Sequence, residues 1–329
     1  MISRLAEHCF WLSRYLERAE NTARLLEVNQ NWLLDFDVPL ELQWKPLLII
    51  SGIHDYKGNL DKETILSFMT WDLENPCSIV SSMTYARENA RVIREIVSAE
   101  MWERLNYNYL WLQSNTARDL YENNRYELYN QIKRINQLLQ GIGESTMLRT
   151  EAWEFYQLGR HLERAGQTAR ILDVKYHMVK SMPSISGSNM EISYWTSILK
   201  SCSGYEPFLK HAKIVENQVG NAVAQFLIFE KSFPRSVSYC VAECLKAVLS
   251  ISEKSKSKHR NPTSELLFKI SEWMGTQGVQ SQIEKELHSL LTTLVDNIHS
   301  ISNSLNRTYF DLNPEDHTIE LNDYEVAQS

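Results

Sequence analysis

Glycine and proline are scarce in this chain, eleven and eight among 329 residues. Strands joined by tight turns use both residues often, so their scarcity argues against a β-sandwich or a loop-rich α/β enzyme and favours long helices with few breaks. No long basic run exists and the net charge is −7, which removes nucleic acid as an expected main partner. No apolar stretch approaches the roughly 18 residues that span a bilayer, so no membrane association is expected. The opening Met1-Ile2-Ser3-Arg4-Leu5-Ala6-Glu7 is charged and runs directly into a helical pattern, unlike a signal peptide.

Chemistry-bearing motifs are equally thin. The five cysteines (Cys9, Cys77, Cys202, Cys240, Cys244) are odd in number and include no Cys-x-x-Cys pair. They read as reduced thiols of a cytoplasmic protein. Cys240 and Cys244 share a helix face, but no His or carboxylate follows at ligand spacing, so packed thiols are the better reading. Nine histidines are scattered without HExxH or HxxxH. The Glu-x-x-His motifs of a carboxylate-bridged di-metal bundle are missing, as are a P-loop, a GxGxxG and a GxSxG elbow. The expectation is no cofactor and no metal centre.

What is present is an internal repeat. Residues 12–28 read LSRYLERAENTARLLEV and residues 158–174 read LGRHLERAGQTARILDV. Upstream, Met1, Ile2 and Ala6 face Met147, Leu148 and Ala152. Weaker echoes pair Trp44 with Trp195, and Phe68, Pro76 and Ser78 with Phe226, Pro234 and Ser236. A chain of this length suits two domains or one duplicated domain. The reading is an all-α, duplicated helical bundle with two pseudo-symmetric halves, 1–145 and 146–310, and a long C-terminal helix. An acidic tail over 311–329, without Lys or Arg, is expected to fray.

Apolar spacing places the helices. Leu12, Leu16, Ala19, Ala23 and Leu26 form one stripe, with alanines permitting close helix approach, as at Ala165 and Ala169 in the second copy. Met83, Ala86, Ala90, Ile93 and Val97 form another. Trp102, Leu105, Tyr109, Leu112 and Thr116 form a third, within a Trp- and Tyr-rich stretch to Trp111 that reads as core. Ile283 to Leu305 marks the long final helix. Segments 179–192 and 252–264 read as loops, the second carrying the basic run Lys254–Arg260.

The repeated helix carries a second, charged stripe. Arg14, Glu17, Arg18, Asn21 and Arg24 are matched by Arg160, Glu163, Arg164, Gln167 and Arg170, while Arg87, Glu88, Arg91, Arg94 and Glu95 lie on the 83–97 helix. Such stripes are commonly solvated faces whose ion pairs contribute little. Here the arginines are unchanged between copies while neighbours taken as surface positions differ, as at Glu20/Gly166 and Tyr15/His161. Retention of Arg rather than Lys points to fork-shaped contact with a carboxylate or phosphate. A partly buried network and an anion-facing binding site are both open readings.

At LSRYLERAENTARLLEV the sequence resembles the alpha-E domain family of bacterial all-helical proteins. The likeness extends over the opening MISRLAEHCFW, the block ENPCSIVSSMTYARENARVIREIVSAEMWERLN, the second copy TMLRTEAWEFYQLGRHLERAGQTARILDV, SFPRSVSYC, and Tyr309-Phe310. The chain departs at His8, where the family more often has Asn. The resemblance implies a genomic neighbourhood: a circularly permuted ATP-grasp-type protein, often with a transglutaminase-like peptidase. The expected role is therefore an accessory or binding subunit of a peptide- or amide-bond-forming system. A stand-alone enzyme using Glu17 or Glu88 as acid/base is the rival, and a purely structural scaffold is the third reading.

Overall fold

A computed structural model describes residues 3–36, 38–181, 189–211, 219–254 and 261–310. Among these, 83% are helical and none is in a strand. Fourteen α-helices follow in order: α1 (Ser3–Asp35), α2 (Leu40–Ile50), α3 (Lys62–Trp71), α4 (Ile79–Val92), α5 (Ala99–Leu112), α6 (Asn115–Asn123), α7 (Arg125–Thr146), α8 (Glu151–Ser181), α9 (Asn189–Ser201), α10 (Tyr205–His211), α11 (Val219–Phe229), α12 (Val237–Lys254), α13 (Pro262–Met274) and α14 (Gln277–Leu305). A π-helical turn, Asn306–Phe310, ends the described chain. The acidic tail and residues 255–260 of the basic loop lie outside the described residues, as do 182–188.

The chain divides into two compact units. The first holds Met1–Glu27, Lys57–Arg160 and Tyr309–Asp311; the second holds Val28–Tyr56, His161–Thr308 and Leu312–Ser329. Within the first, α4 packs on α3 and α5, and α7 packs on α5 and α6. Within the second, α11 packs on α9, α12 and α14, and α13 lies against α12 and α14.

The apolar stripes become the core. Leu12, Leu16, Ala19, Ala23 and Leu26 are all fully buried, as are Leu290, Leu294, Ile301 and Leu305 of α14 to within a few per cent. Two expected helices are shorter than their stripes. Ile93 caps α4, so Ile93 and Val97 are buried from a turn, not from a helix. Thr116 belongs to α6 and is exposed. In both places a serine starts the next helix: Ser98 accepts from the Met101 amide and Ser114 from the Ala117 amide. The aromatic stretch is also less buried than expected, with Tyr107 61% exposed and Trp102, Tyr109 and Trp111 half-buried.

The weak echo around Ser78 and Ser236 is close in geometry. Ser78 donates to the Asp72 carbonyl at 2.6 Å and accepts from the Ser81 amide at 3.1 Å. Ser236 donates to the Glu230 carbonyl at 2.6 Å and accepts from the Tyr239 amide at 3.1 Å. The Asp72 and Glu230 carboxylates each accept the amide two residues on, at 2.8 Å in both turns. Each hydroxyl thus closes the preceding turn and caps the next helix, α4 in one unit and α12 in the other.

None of the five cysteines is in a disulfide. Burial pushes the Cys9 thiol up to about 12 and Cys244 well above its ordinary value, which leaves both without thiolate character.

Candidate functional site

The charged stripe of α1 turns inward. Glu17 is 0% exposed, Glu20 1% and Arg24 5%. Glu20 and Tyr15, both taken as surface positions from their divergence, are buried, and so is His161 at 4%. Divergence at those positions reflects different packing partners in the two copies, not solvent. Opposite the α1 stripe, α7 presents Lys133, Gln137 and Gln140 at i, i+4 and i+7, on one helix face. Gln140 donates to Glu17 at 3.0 Å and to Glu20 at 3.3 Å, Gln137 donates to Glu20 at 3.4 Å, and Lys133 pairs with Glu27. Arg24 reaches back one turn to pair with Glu20 and also donates to the Asn21 side-chain oxygen at 3.4 Å. The result is an antiparallel polar ladder inside the first unit, in which buried carboxylates are met by donors, as burial demands.

The other stripe residues divide between half-buried and exposed places. Arg14 stands half-buried over the rings of Phe10 and Trp11, at 5.4 and 4.8 Å, and Arg18 over Tyr15 at 5.3 Å. On α4, Arg87 donates to Asn106 at 2.8 Å and to Glu88 at 2.6 Å, and lies 4.7 Å from the Tyr109 ring. Arg91, 61% exposed, bonds Glu88 on the surface. Arg94 sits over Trp102 at 4.9 Å. Arg160 is half-buried and bonds Gln157 within its own helix. His8 bonds Asn89 at 2.8 Å.

In the second unit Glu163 is 2% exposed and Arg164 8%. Arg170 donates to the carbonyl of Ile50, the last residue of α2, at 2.9 Å, and to Gln167 at 3.2 Å. A guanidinium at a helix C-terminus satisfies an otherwise orphaned carbonyl and suits the helix dipole. Arg24 and Arg170 are aligned in the repeat yet differ in partner because Glu20 is replaced by Gly166. A Cβ at residue 166 would stand 3.0 Å from the Arg170 guanidinium, so glycine leaves that side chain its space. A fork-on-carboxylate pair is present at Arg125 and Glu63, where Nη1 and Nη2 each donate to one carboxylate oxygen, at 2.9 and 2.6 Å.

A family model described as a predicted alpha-helical domain with a conserved ER motif, named Alpha-E, matches residues 1–310. The chain belongs to the Alpha-E family. Glu-Arg occurs in this Alpha-E chain at 17–18, 103–104 and 163–164, the first and last inside the repeated Leu-Glu-Arg-Ala. In those two, the glutamate is buried in each case. No curated protein and no solved structure matches the chain, and no described helix is long and apolar enough to cross a membrane.

One buried cation of this Alpha-E domain lay outside the sequence reading. Lys175 of α8 is 2% exposed, its ammonium 3.3 Å from the Asn29 side-chain oxygen and 5.1 Å from the Tyr194 ring. Burial lowers its pKa from 10.5 to about 8. Between those values the unfolded chain holds a proton that the folded chain has lost, so this group makes stability rise with pH over that window. Below about pH 8 the full cost of burying the charge stands, on the order of 3 kcal/mol for a shift of that size. Lys175→Met should therefore be more stable than wild type near neutrality by up to about 2–3 kcal/mol, with the advantage shrinking towards pH 10.5. Urea denaturation of both proteins at several pH values reads this difference, in which the cysteine and tyrosine contributions cancel. A difference that does not change with pH would refute it.

Proposed function

We propose that the chain is a bacterial, cytoplasmic binding subunit that works with an ATP-grasp-type ligase in peptide- or amide-bond formation. The partner class comes from the family resemblance. The observation that carries a binding role is the division of the charged groups. The α1 carboxylates Glu17 and Glu20 are bonded inside the fold, while Arg87 of α4 and Arg94 of the turn that follows it stand over α5 aromatic rings. Large apolar side chains of α4 and α5 are open to solvent as well: Tyr107, 61% exposed, Leu110, 56% exposed, and Val92, 44% exposed. Arginine and aromatic side chains together are the composition of interface anchors. A general base must reach its substrate, and Glu17 at 0% exposure does not meet that condition without opening the helix pair.

Co-purification of the chain with its neighbouring ATP-grasp protein, with and without ATP, tests the proposal. Association at micromolar concentration is expected. Tyr107→Ala and Arg94→Ala should each weaken it about tenfold, the effect of truncating a moderate interface anchor, without changing helicity. Absence of association in both nucleotide states overturns the reading.

A further inference from the structure

We propose that Asp173, His177 and His288 form a binding site for a divalent transition metal, with zinc the best-suited ion. Asp173 and His177 lie one turn apart on α8, and His288 comes from α14, all within the second unit. His177 Nε2 is 2.8 Å from His288 Nδ1, His288 Nδ1 is 3.4 Å from Asp173 Oδ1, and His177 Nε2 is 3.7 Å from that same oxygen. A triangle with these edges has a point about 2 Å from all three atoms, the length of zinc bonds to imidazole nitrogen and carboxylate oxygen. Two imidazoles and one carboxylate are borderline donors that favour zinc and its neighbours over calcium or magnesium, which prefer oxygen alone.

The surroundings agree with a cation. The Asp173 side chain is three-quarters covered. Its aligned position in the first copy is Glu27, whose charge is met by Lys133. At Asp173 two imidazoles face the carboxylate instead, and a divalent ion held among the three would neutralise it. The path of α14 leaves helical geometry at Glu286 (φ −147°, ψ 50°), two residues before His288, so the facing of His288 is not tied to the turns before it. His177 and His288 are 49% and 52% exposed. Three protein ligands with an open side is the arrangement of zinc sites that keep a water in the fourth position.

Untagged protein, stripped with a chelator, is titrated with zinc by calorimetry and with cobalt by visible absorption. The expected result is one zinc per chain at micromolar Kd or tighter. The cobalt spectrum should show ligand-field bands without thiolate charge transfer, which separates this site from the cysteines. His288→Ala and Asp173→Asn should each weaken zinc at least tenfold while helicity, read by circular dichroism, is unchanged. Absence of zinc binding, equal affinity in wild type and His288→Ala, or thiolate bands in the cobalt spectrum would each overturn the site and leave a hydrogen-bonded His–His–Asp cluster.

Discussion

Gly159→Ala should destabilise the protein by about 3 kcal/mol or more, the upper end of the cost of overpacking. At this residue α8 meets α1 with no room for a side chain. A Cβ would overlap the Phe10 carbonyl oxygen and the Ser13 hydroxyl and stand 3.0 Å from the Phe10 carbonyl carbon. The Ser13 hydroxyl can rotate away, but it already donates to the Phe10 carbonyl at 3.0 Å, and that carbonyl belongs to helical backbone. Relief therefore requires the two helices to separate, which strips contacts from fully buried Phe10, Leu12 and Leu158. The same chemical change at Gly141 of α7 has nothing within 4 Å. There alanine should stabilise by up to about 1 kcal/mol, the ordinary helix-propensity gain. Chemical denaturation of the two variants gives opposite signs if the crossing at Gly159 is as tight as described. Equal effects would sink the account.

How much of this was legible follows from what each signal depends on. Helix content and the buried stripes depend on local period, and Leu12 to Leu26 and Ile283 to Leu305 announced themselves. Breaks were harder, because Ser98 and Ser114 terminate an apolar period that continues straight through them, and only attention to N-cap residues would have divided it. An approach of α1 to α8 was expected at the alanines of the repeat, whereas the contact within the first unit is at Gly159. Gly159 was passed over because its aligned partner is Ser13, a substitution that looks neutral until the two positions are seen to touch. The inward turn of Glu17 and Arg24 was half legible, since retention of Arg hinted at burial. Its partners were not, because Lys133, Gln137 and Gln140 carry no repeat and no motif. The Asp173–His177–His288 cluster was invisible for a simpler reason: the two histidines are 111 residues apart, and no spacing rule joins them.

Glu20→Ala should cost about 3 kcal/mol, more than an exposed pair in the same chain by a wide margin. The pair it breaks is buried on both sides, with Arg24 6% and Glu20 1% exposed at the side chain. Removing the carboxylate takes the Glu20 partner from a buried guanidinium and takes one acceptor from each of Gln137 and Gln140. Breaking a buried pair from one side is costly because the remaining charge keeps its desolvation penalty without its partner. Glu17→Ala should follow in the same direction by more than about 2 kcal/mol, since it removes the other acceptor of Gln140. Arg91→Ala is the comparison. Its bond to Glu88 lies on the surface, with 61% and 42% of the two side chains exposed, and its loss should cost under about 1 kcal/mol. The double variant Glu20→Leu/Arg24→Leu then separates two explanations. If the penalty of Glu20→Ala is mainly the stranded charge, removing both charges should recover at least half of it, because two apolar side chains carry no desolvation cost at this site. If the double variant is instead as unstable as the sum of its singles, the ladder acts through shape and hydrogen bonding along the whole α1–α7 contact, and the pair itself is not the source of the effect.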